Sequence, residues 1–111
     1  MGRVTEGPVP HIDVRAVEGE PLLDVREADE FSWGRAPKST HIPLYELPAR
    51  LDDIPANRPL YVICKVGARS AQAVMWLRAQ GVDAVNVQGG LVAWAEAGLP
   101  IESDGPRPWL V

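Results

Sequence analysis

The sequence predicts an α/β domain with a small, mainly parallel sheet of four or five strands and helices on both faces. Three observations point there. Short apolar runs alternate with helix-forming stretches along the whole chain. The run Leu60, Tyr61, Val62, Ile63 is continuously apolar rather than alternating, as expected of a strand covered on both faces. The 111 residues suit one domain, long enough to bury about two-thirds of its unfolded surface without disulfides or metals.

Residues 1–10, with glycine and two prolines, read as a flexible N-terminal arm; residues 11–101 carry the domain and residues 102–111 a C-terminal tail. Pro10 to Val14 suits a short edge strand, and Val17 to Pro21 an acidic turn. Leu22, Leu23 and Val25 flank Asp24 in the next strand. Glu27 to Phe31 then suggests a helix with acidic residues in its first turn, where the dipole favours them, ended by Gly34. Ala36 to Pro43 is a loop leading into a short strand or turn. The stretch LYELPARLDD suggests a brief helix in two pieces, broken near Pro48. Ile54 to Pro59 is a proline-flanked linker into the Leu60 strand.

The helix after that strand runs from Arg69 or Ser70 to Gly81, a good C-terminal cap. Arg69, Gln72, Trp76 and Gln80 form one stripe of it, and Trp76 suits a partly exposed rim or a partner contact. Ala84 to Val87 reads as another short buried strand. Gly89 and Gly90 start a helix through Trp94 to Ala97, capped by Gly98 and stopped by Pro100. The tail SDGPRPWLV has turn chemistry and an apolar end, suited to packing back on the domain or to docking another chain. No internal repeat appears.

Composition narrows the function classes. A net charge of -4 and a pI near 5.1, with no basic face evident, argue against nucleic acid as the main partner. One cysteine excludes an intramolecular disulfide framework and a multi-cysteine zinc site, and fits a reducing compartment. His11 and His41 are too few and too scattered for a metal site, so neither metal nor cofactor is expected. His41, before Ile-Pro, suits a hydrogen-bonded structural residue better than a base. No apolar run of membrane-spanning length and no signal-peptide core appear, so a cytoplasmic protein without a membrane partner is expected.

The chemistry gathers at Cys64. The apolar strand delivers it into the loop Lys65, Val66, Gly67, Ala68, and the helix opens directly afterwards. A lone cysteine after an apolar run is often an inert core residue. Here glycine, two cations and a helix start lie within six residues of the thiol. Free amides and the positive end of the dipole favour an anion there, and with Lys65 and Arg69 they favour the thiolate, a nucleophile. Arg69 is open to two readings, a solvated first-turn arginine or the counter-ion of a buried anion. Asp24 and Arg26 are likewise either a solvated strand-end pair or site residues at the C-terminal end of a strand, where open α/β sheets place their sites.

LLDVREADEF, THIPL, VICKVGARS and VNVQGGLVAWAEAGLP, in this order and spacing, make the chain resemble a single-domain rhodanese, a sulfurtransferase, from about His11 to Ile101. The resemblance implies the rhodanese-like α/β fold. It implies that Cys64 accepts a sulfane sulfur as a persulfide, that Lys65, Val66, Gly67, Ala68, Arg69 and Ser70 form the substrate-binding cradle, and that Asp24 and Arg26 support or line the pocket. Four residues lie between Cys64 and Arg69, as in rhodaneses, whereas phosphatases and arsenate reductases of the same architecture enclose five. Many members read Gly-His-Ile-Pro-Gly-Ala where this chain reads Gly34-Arg35-Ala36-Pro37-Lys38-Ser39, which would add positive charge near the pocket rim. The expected partners are a small anionic sulfur donor, with thiosulfate the simplest, and a thiol, cyanide or protein acceptor. A sulfur-relay or partner-docking module with little turnover on small donors is the alternative. It would use Trp76, Trp109 and the tail.

Overall fold

The computed structural model describes residues 4–5, 7–108 and 110. Trp109, which the relay reading invokes, lies outside them. Among the described residues five strands form one fully parallel sheet: β1 (His11–Ile12), β2 (Leu22–Asp24), β3 (Ser39–His41), β4 (Leu60–Ile63) and β5 (Ala84–Val87), in the order β1-β5-β4-β2-β3. Three α-helices connect or flank them: α1 (Ala28–Trp33), α2 (Ala68–Ala79) and α3 (Gly90–Glu96). The short strands are the expected ones, and the edge position of β1 matches its two-residue length.

Period-two alternation distributes each strand between two cores. Leu23, Leu60, Val62, Cys64 and Ala84 point to the face covered by Ala73, Val74 and Leu77 of α2. Leu22, Ile63, Val85 and Val87 point to the other, covered by Leu91 and Trp94 of α3 and by Val14 and Val17. Both faces of β4 are therefore buried, which is why its sequence is apolar throughout. Cys64 continues the β4 alternation onto the α2 face, and β2 and β4 are neighbours with Asp24 opposite Ile63. The chain thus leaves both strands at the same C-terminal edge.

Some local expectations shift. The LYELPARLDD stretch forms two 3-10 helices, Leu44–Ala49 and Leu51–Asp53, with the break at Arg50 and Pro48 accommodated inside the first. α2 begins at Ala68, one residue earlier than expected. The substituted loop before β3 does not add charge to the pocket rim. Lys38 immediately precedes β3, at the N-terminal edge of the parallel strands, where its Nζ donates to Gly19 O at 2.9 Å. Arg35 lies over the Phe31 ring, 4.7 Å from its centroid, and pairs with Asp104 at 2.8 Å. Arg35 also bridges to Glu102 through reciprocal backbone hydrogen bonds, so residues 102–104 run back along the end of α1. No helix among the described residues is long and apolar enough to cross a membrane.

Candidate active site

Cys64 is buried at the end of β4, and its sulfur serves as the cap of α2. The N-terminus of that helix has no side-chain cap: Gly67 takes the position with φ 105, a left-handed conformation suited to glycine. The orphan amides turn to the thiol instead. Gly67 N–H donates to Cys64 Sγ at 3.1 Å and Ser70 N–H at 3.3 Å, with Ser70 Oγ at 3.2 Å. The sulfur thus sits where an N-cap oxygen would, facing the amides of the first turn of α2. Among the described residues no ionisable side chain is hydrogen-bonded to it.

The start of α3 props the same loop from below. Leu91 N–H donates to Cys64 O at 2.9 Å and Val92 N–H to Lys65 O at 3.0 Å. With these two carbonyls engaged by α3, the Gly67 and Ser70 amides face the thiol. This requires Gly90, whose φ is 58, to lie against the Cys64 and Lys65 carbonyls where a Cβ has no room.

Behind the sulfur lies a buried polar chain. Asn86, the β5 partner of His11 in the sheet register, projects to the α2 face. Its Nδ2 donates to Gly67 O at 3.3 Å and lies 3.1 Å from His11 Nδ1, so its Oδ1 is the atom left for Ser70 Oγ at 2.5 Å. The direction of every bond follows from the first. Ser70 donates its one hydroxyl hydrogen to Asn86, and its oxygen faces a protonated Cys64 as an acceptor. Once the sulfur is ionised, that hydroxyl becomes the third donor by turning away from Asn86.

The charged residues divide differently from expectation. Arg69 sits in the first turn of α2 but its guanidinium turns to α1, forming a bidentate pair with Glu30, Nη1 to Oε1 at 2.6 Å and Nη2 to Oε2 at 2.9 Å. The hydrogen bond to Arg69 holds the Glu30 carboxyl below its ordinary value, against the opposing effect of burial. The same bond raises Arg69. Of the two readings of Arg69, the pair fits that of counter-ion to a buried anion, and the anion is the chain's own Glu30, whose side chain is 14% exposed.

Asp24 and Arg26 form a fully buried pair, Nη2 to Oδ2 at 2.8 Å and Nε to Oδ1 at 3.0 Å, which excludes the solvated reading. Arg26 also donates to Glu30 O at 3.3 Å and Gly34 O at 2.6 Å, so the pair ties β2 to the middle and the C-terminal cap of α1. With side chains 1% and 0% exposed, the pair presents no side-chain surface to solvent. Lys65 is half-buried and forms no ion pair among the described residues, while Val66 at the loop tip is 58% exposed. His41 Nε2 lies 2.7 Å from Arg26 O and its ring stacks on Phe31, the structural role expected of it.

Glu30, Asn86, His11 and Gly90 complete the arrangement, and sequence reasoning gave none of them a place in it. Asn86 carried the one usable signal: a polar residue inside the apolar run Ala84–Val87 needs buried partners. Glu30 carried none, because its capping-box bond to the Glu27 amide at 3.0 Å already accounts for an acid at that position.

The assembly places one buried sulfur against two backbone amides and a serine hydroxyl. The family model described as Rhodanese-like domain matches residues 6–97. A sulfurtransferase of Allochromatium vinosum is 41% identical over 81 residues, covering 72% of this chain and 76% of that protein. The thiosulfate sulfurtransferase GlpE of Actinobacillus succinogenes is 36% identical over 92 residues, covering 82% of this chain and 83% of that one. Among solved structures, a rhodanese-related protein from Thermoplasma volcanium superposes with a TM-score of 0.75 at 33% identity, covering 83% of this chain and 96% of that one.

Proposed function

This chain belongs to the rhodanese-like domain family of sulfurtransferases, and from that premise we propose that it moves a sulfane sulfur from a small anionic donor, with thiosulfate the simplest, through a persulfide on Cys64 to a thiol, cyanide or protein acceptor in the cytoplasm. The observation that carries the reading is the pair of amide donors on the sulfur, Gly67 N–H at 3.1 Å and Ser70 N–H at 3.3 Å, with the Ser70 hydroxyl at 3.2 Å placed to join them by turning from Asn86.

In the first half-reaction the Cys64 thiolate attacks the outer sulfur of thiosulfate. A bond forms between Sγ and that sulfur, the donor's sulfur–sulfur bond breaks, and sulfite leaves with the electron pair. The terminal sulfur of the persulfide then carries the charge. Loop amides stabilise it as they do any oxyanion or thiolate, by fixed dipoles that need no reorganisation. In the second half-reaction an acceptor thiolate or cyanide attacks the terminal sulfur and Cys64 departs as the thiolate. No proton donor is needed at either step. Lys65 to Ser70 are the cradle in this reading, and Asp24 and Arg26 hold it from beneath. Four residues between Cys64 and Arg69 favour a single sulfur over the phosphate of the phosphatase reading.

A second reading, a relay that accepts sulfur from one protein and passes it to another, draws on one observation. The exposed Tyr45 lines a mostly apolar cleft with Leu44, Leu47, Pro48, Gln72 and Trp76. Steady-state thiocyanate production from thiosulfate and cyanide separates the two: sustained turnover supports the enzyme, and loading without turnover supports the relay.

A further inference from the structure

A chain of hydrogen bonds runs from the sulfur to the edge strand β1, and it ends on a histidine. Ser70 Oγ lies 3.2 Å from Cys64 Sγ and 2.5 Å from Asn86 Oδ1, and Asn86 Nδ2 lies 3.1 Å from His11 Nδ1. Ser70 and Asn86 are 0% and 2% exposed, so a polar group left unpaired in either is costly. His11 is half-buried, and its backbone is fixed on both sides. The His11 amide donates to Thr5 Oγ1 at 2.9 Å, the Thr5 amide donates to His11 O at 2.9 Å, and the sheet register pairs His11 with Asn86. Of the ionisable residues on the surrounding elements, Arg69 is paired with Glu30, Asp24 with Arg26 and Arg78 with Asp83, and Asp13 accepts the Arg15 amide. Lys65 forms no ion pair among the described residues, and β5 carries no ionisable side chain.

With Cys64 as a thiol, every bond of the chain points away from the sulfur: Ser70 donates to Asn86 Oδ1, and Asn86 Nδ2 donates to a lone pair on His11 Nδ1. When Cys64 ionises and the Ser70 hydrogen turns to it, Asn86 Oδ1 loses its donor in a buried place. Reversing the whole chain removes that cost. Asn86 turns its amide over, Nδ2 donates to Ser70 Oγ, and Oδ1 accepts from His11 Nδ1. Gly67 O gives up Asn86 in the turn but keeps the Ala71 amide at 3.0 Å. Serine and asparagine can each donate or accept, so the reversal depends on the terminal group. Imidazole meets the need, because Nδ1 accepts when the ring hydrogen is on Nε2 and donates when it is on Nδ1. Resting on the reading of Cys64 as the sulfur nucleophile, we infer that His11 is its positioning residue: Nδ1 accepts from Asn86 while the sulfur is a thiol and donates to Asn86 once the sulfur is an anion, which frees the Ser70 hydrogen for the sulfur. The proton lost by Cys64 goes to solvent, and the half-buried ring moves its own hydrogen from Nε2 to Nδ1 through solvent. The sulfur is the one group whose charge changes.

The test follows alkylation of Cys64 by iodoacetamide as a function of pH, with loading from thiosulfate measured in parallel. The proteins are wild type, His11→Leu, His11→Asn, Ser70→Ala and the double variant Ser70→Ala/His11→Leu. Leucine neither accepts nor donates, whereas the asparagine amide can do both from a place near that of Nδ1. The midpoint of the alkylation profile should move up by about one pH unit in His11→Leu, which is about tenfold in the ionisation equilibrium, and by less than about a third of that in His11→Asn. On the Ser70→Ala background His11→Leu should add no displacement, because its effect passes through the serine hydroxyl. A residue that only supports the fold would displace both backgrounds alike. That result, or a His11→Leu profile equal to wild type, overturns the inference. Should His11→Leu not fold, NMR of the ring nitrogens decides. On the high-pH plateau of the profile, His11 Nδ1 should carry the hydrogen in wild type and a lone pair in Cys64→Ser, whose hydroxyl stays neutral; the same tautomer in both proteins overturns the inference. Loading from thiosulfate with unmoved profiles removes the role of His11 alone. Displaced profiles without loading support that role and overturn sulfur transfer instead.

Discussion

Gly90 lies directly against the carbonyl of Cys64, so closely that a Cβ at position 90 would stand 2.5 Å from Lys65 O and nearer still to Cys64 O. The first turn of α3 is thereby able to bring Leu91 and Val92 amides onto the two loop carbonyls. Gly90→Ala should cost about 2 kcal/mol or more, from the left-handed backbone and from overlap with backbone that has nowhere to move. Urea denaturation measures the loss, and persulfide loading should fall in the protein that remains folded. A stability within error of wild type would show that the loop does not depend on this approach.

Asn86→Ala removes the acceptor of Ser70 and the donor to Gly67 O in one change. Gly67 O keeps its bond from the Ala71 amide, so the cost is that of the lost buried hydrogen bonds, about 1 kcal/mol each, and Gly67 is also the residue whose amide meets the sulfur. The expected outcome is a lower denaturation midpoint together with slower loading of Cys64. Ser70→Ala should reproduce part of the slowing, and the double variant should show less than the sum of the two effects, because both act on one network. Strict additivity would separate Asn86 from the sulfur.

Asp24→Asn leaves Arg26 buried without its counter-charge, a change expected to cost about 3–5 kcal/mol. The damage should spread to α1, since Arg26 is bonded to Glu30 O and Gly34 O. Hydrogen exchange of the α1 amides would report it. Protection equal to wild type would mean that the pair stabilises β2 alone.

What could be read from the sequence and what could not follow one physical division. The β4 strand, the loop and α2 are contiguous, so their periodicities and the glycine at 67 identify them without help from the rest of the chain. The same holds for β5 and α3. Residues that act across elements leave no such trace. Glu30 meets Arg69 over 39 positions and His11 meets Asn86 over 75, and each satisfies a local role that hides the distant one. The Lys38 and Arg35 expectation failed for a related reason. The loop they occupy precedes β3, and in a parallel sheet that puts it at the opposite edge from a site built after β2 and β4.

Acid should act on stability through Glu30. Its folded-state value lies below its ordinary 4.5, chiefly through the Arg69 hydrogen bond. The carboxylate therefore contributes stability that is fully present above about pH 5 and is lost as pH falls through the lower folded value. Relative to Glu30→Gln, wild type should be more stable near neutrality, and the difference should shrink as the pH is lowered towards 3, roughly a unit and a half under the ordinary value. Urea midpoints of both proteins across that range measure it. A difference independent of pH would remove Glu30 ionisation from the account.

The most direct test of the persulfide on Cys64 is intact-protein mass spectrometry after incubation with a sulfane donor and desalting, wild type beside Cys64→Ser. Thiosulfate and an organic hydropersulfide are run in parallel, and released sulfite is followed in the thiosulfate tubes. The serine hydroxyl is close in size to the thiol but does not ionise usefully at neutral pH, so the fold should persist while the chemistry stops. The predicted result is an increment of one sulfur in wild type, absent in the variant and removed on adding cyanide with release of thiocyanate. An increment that survives in Cys64→Ser, or none in wild type from either donor, would contradict the account.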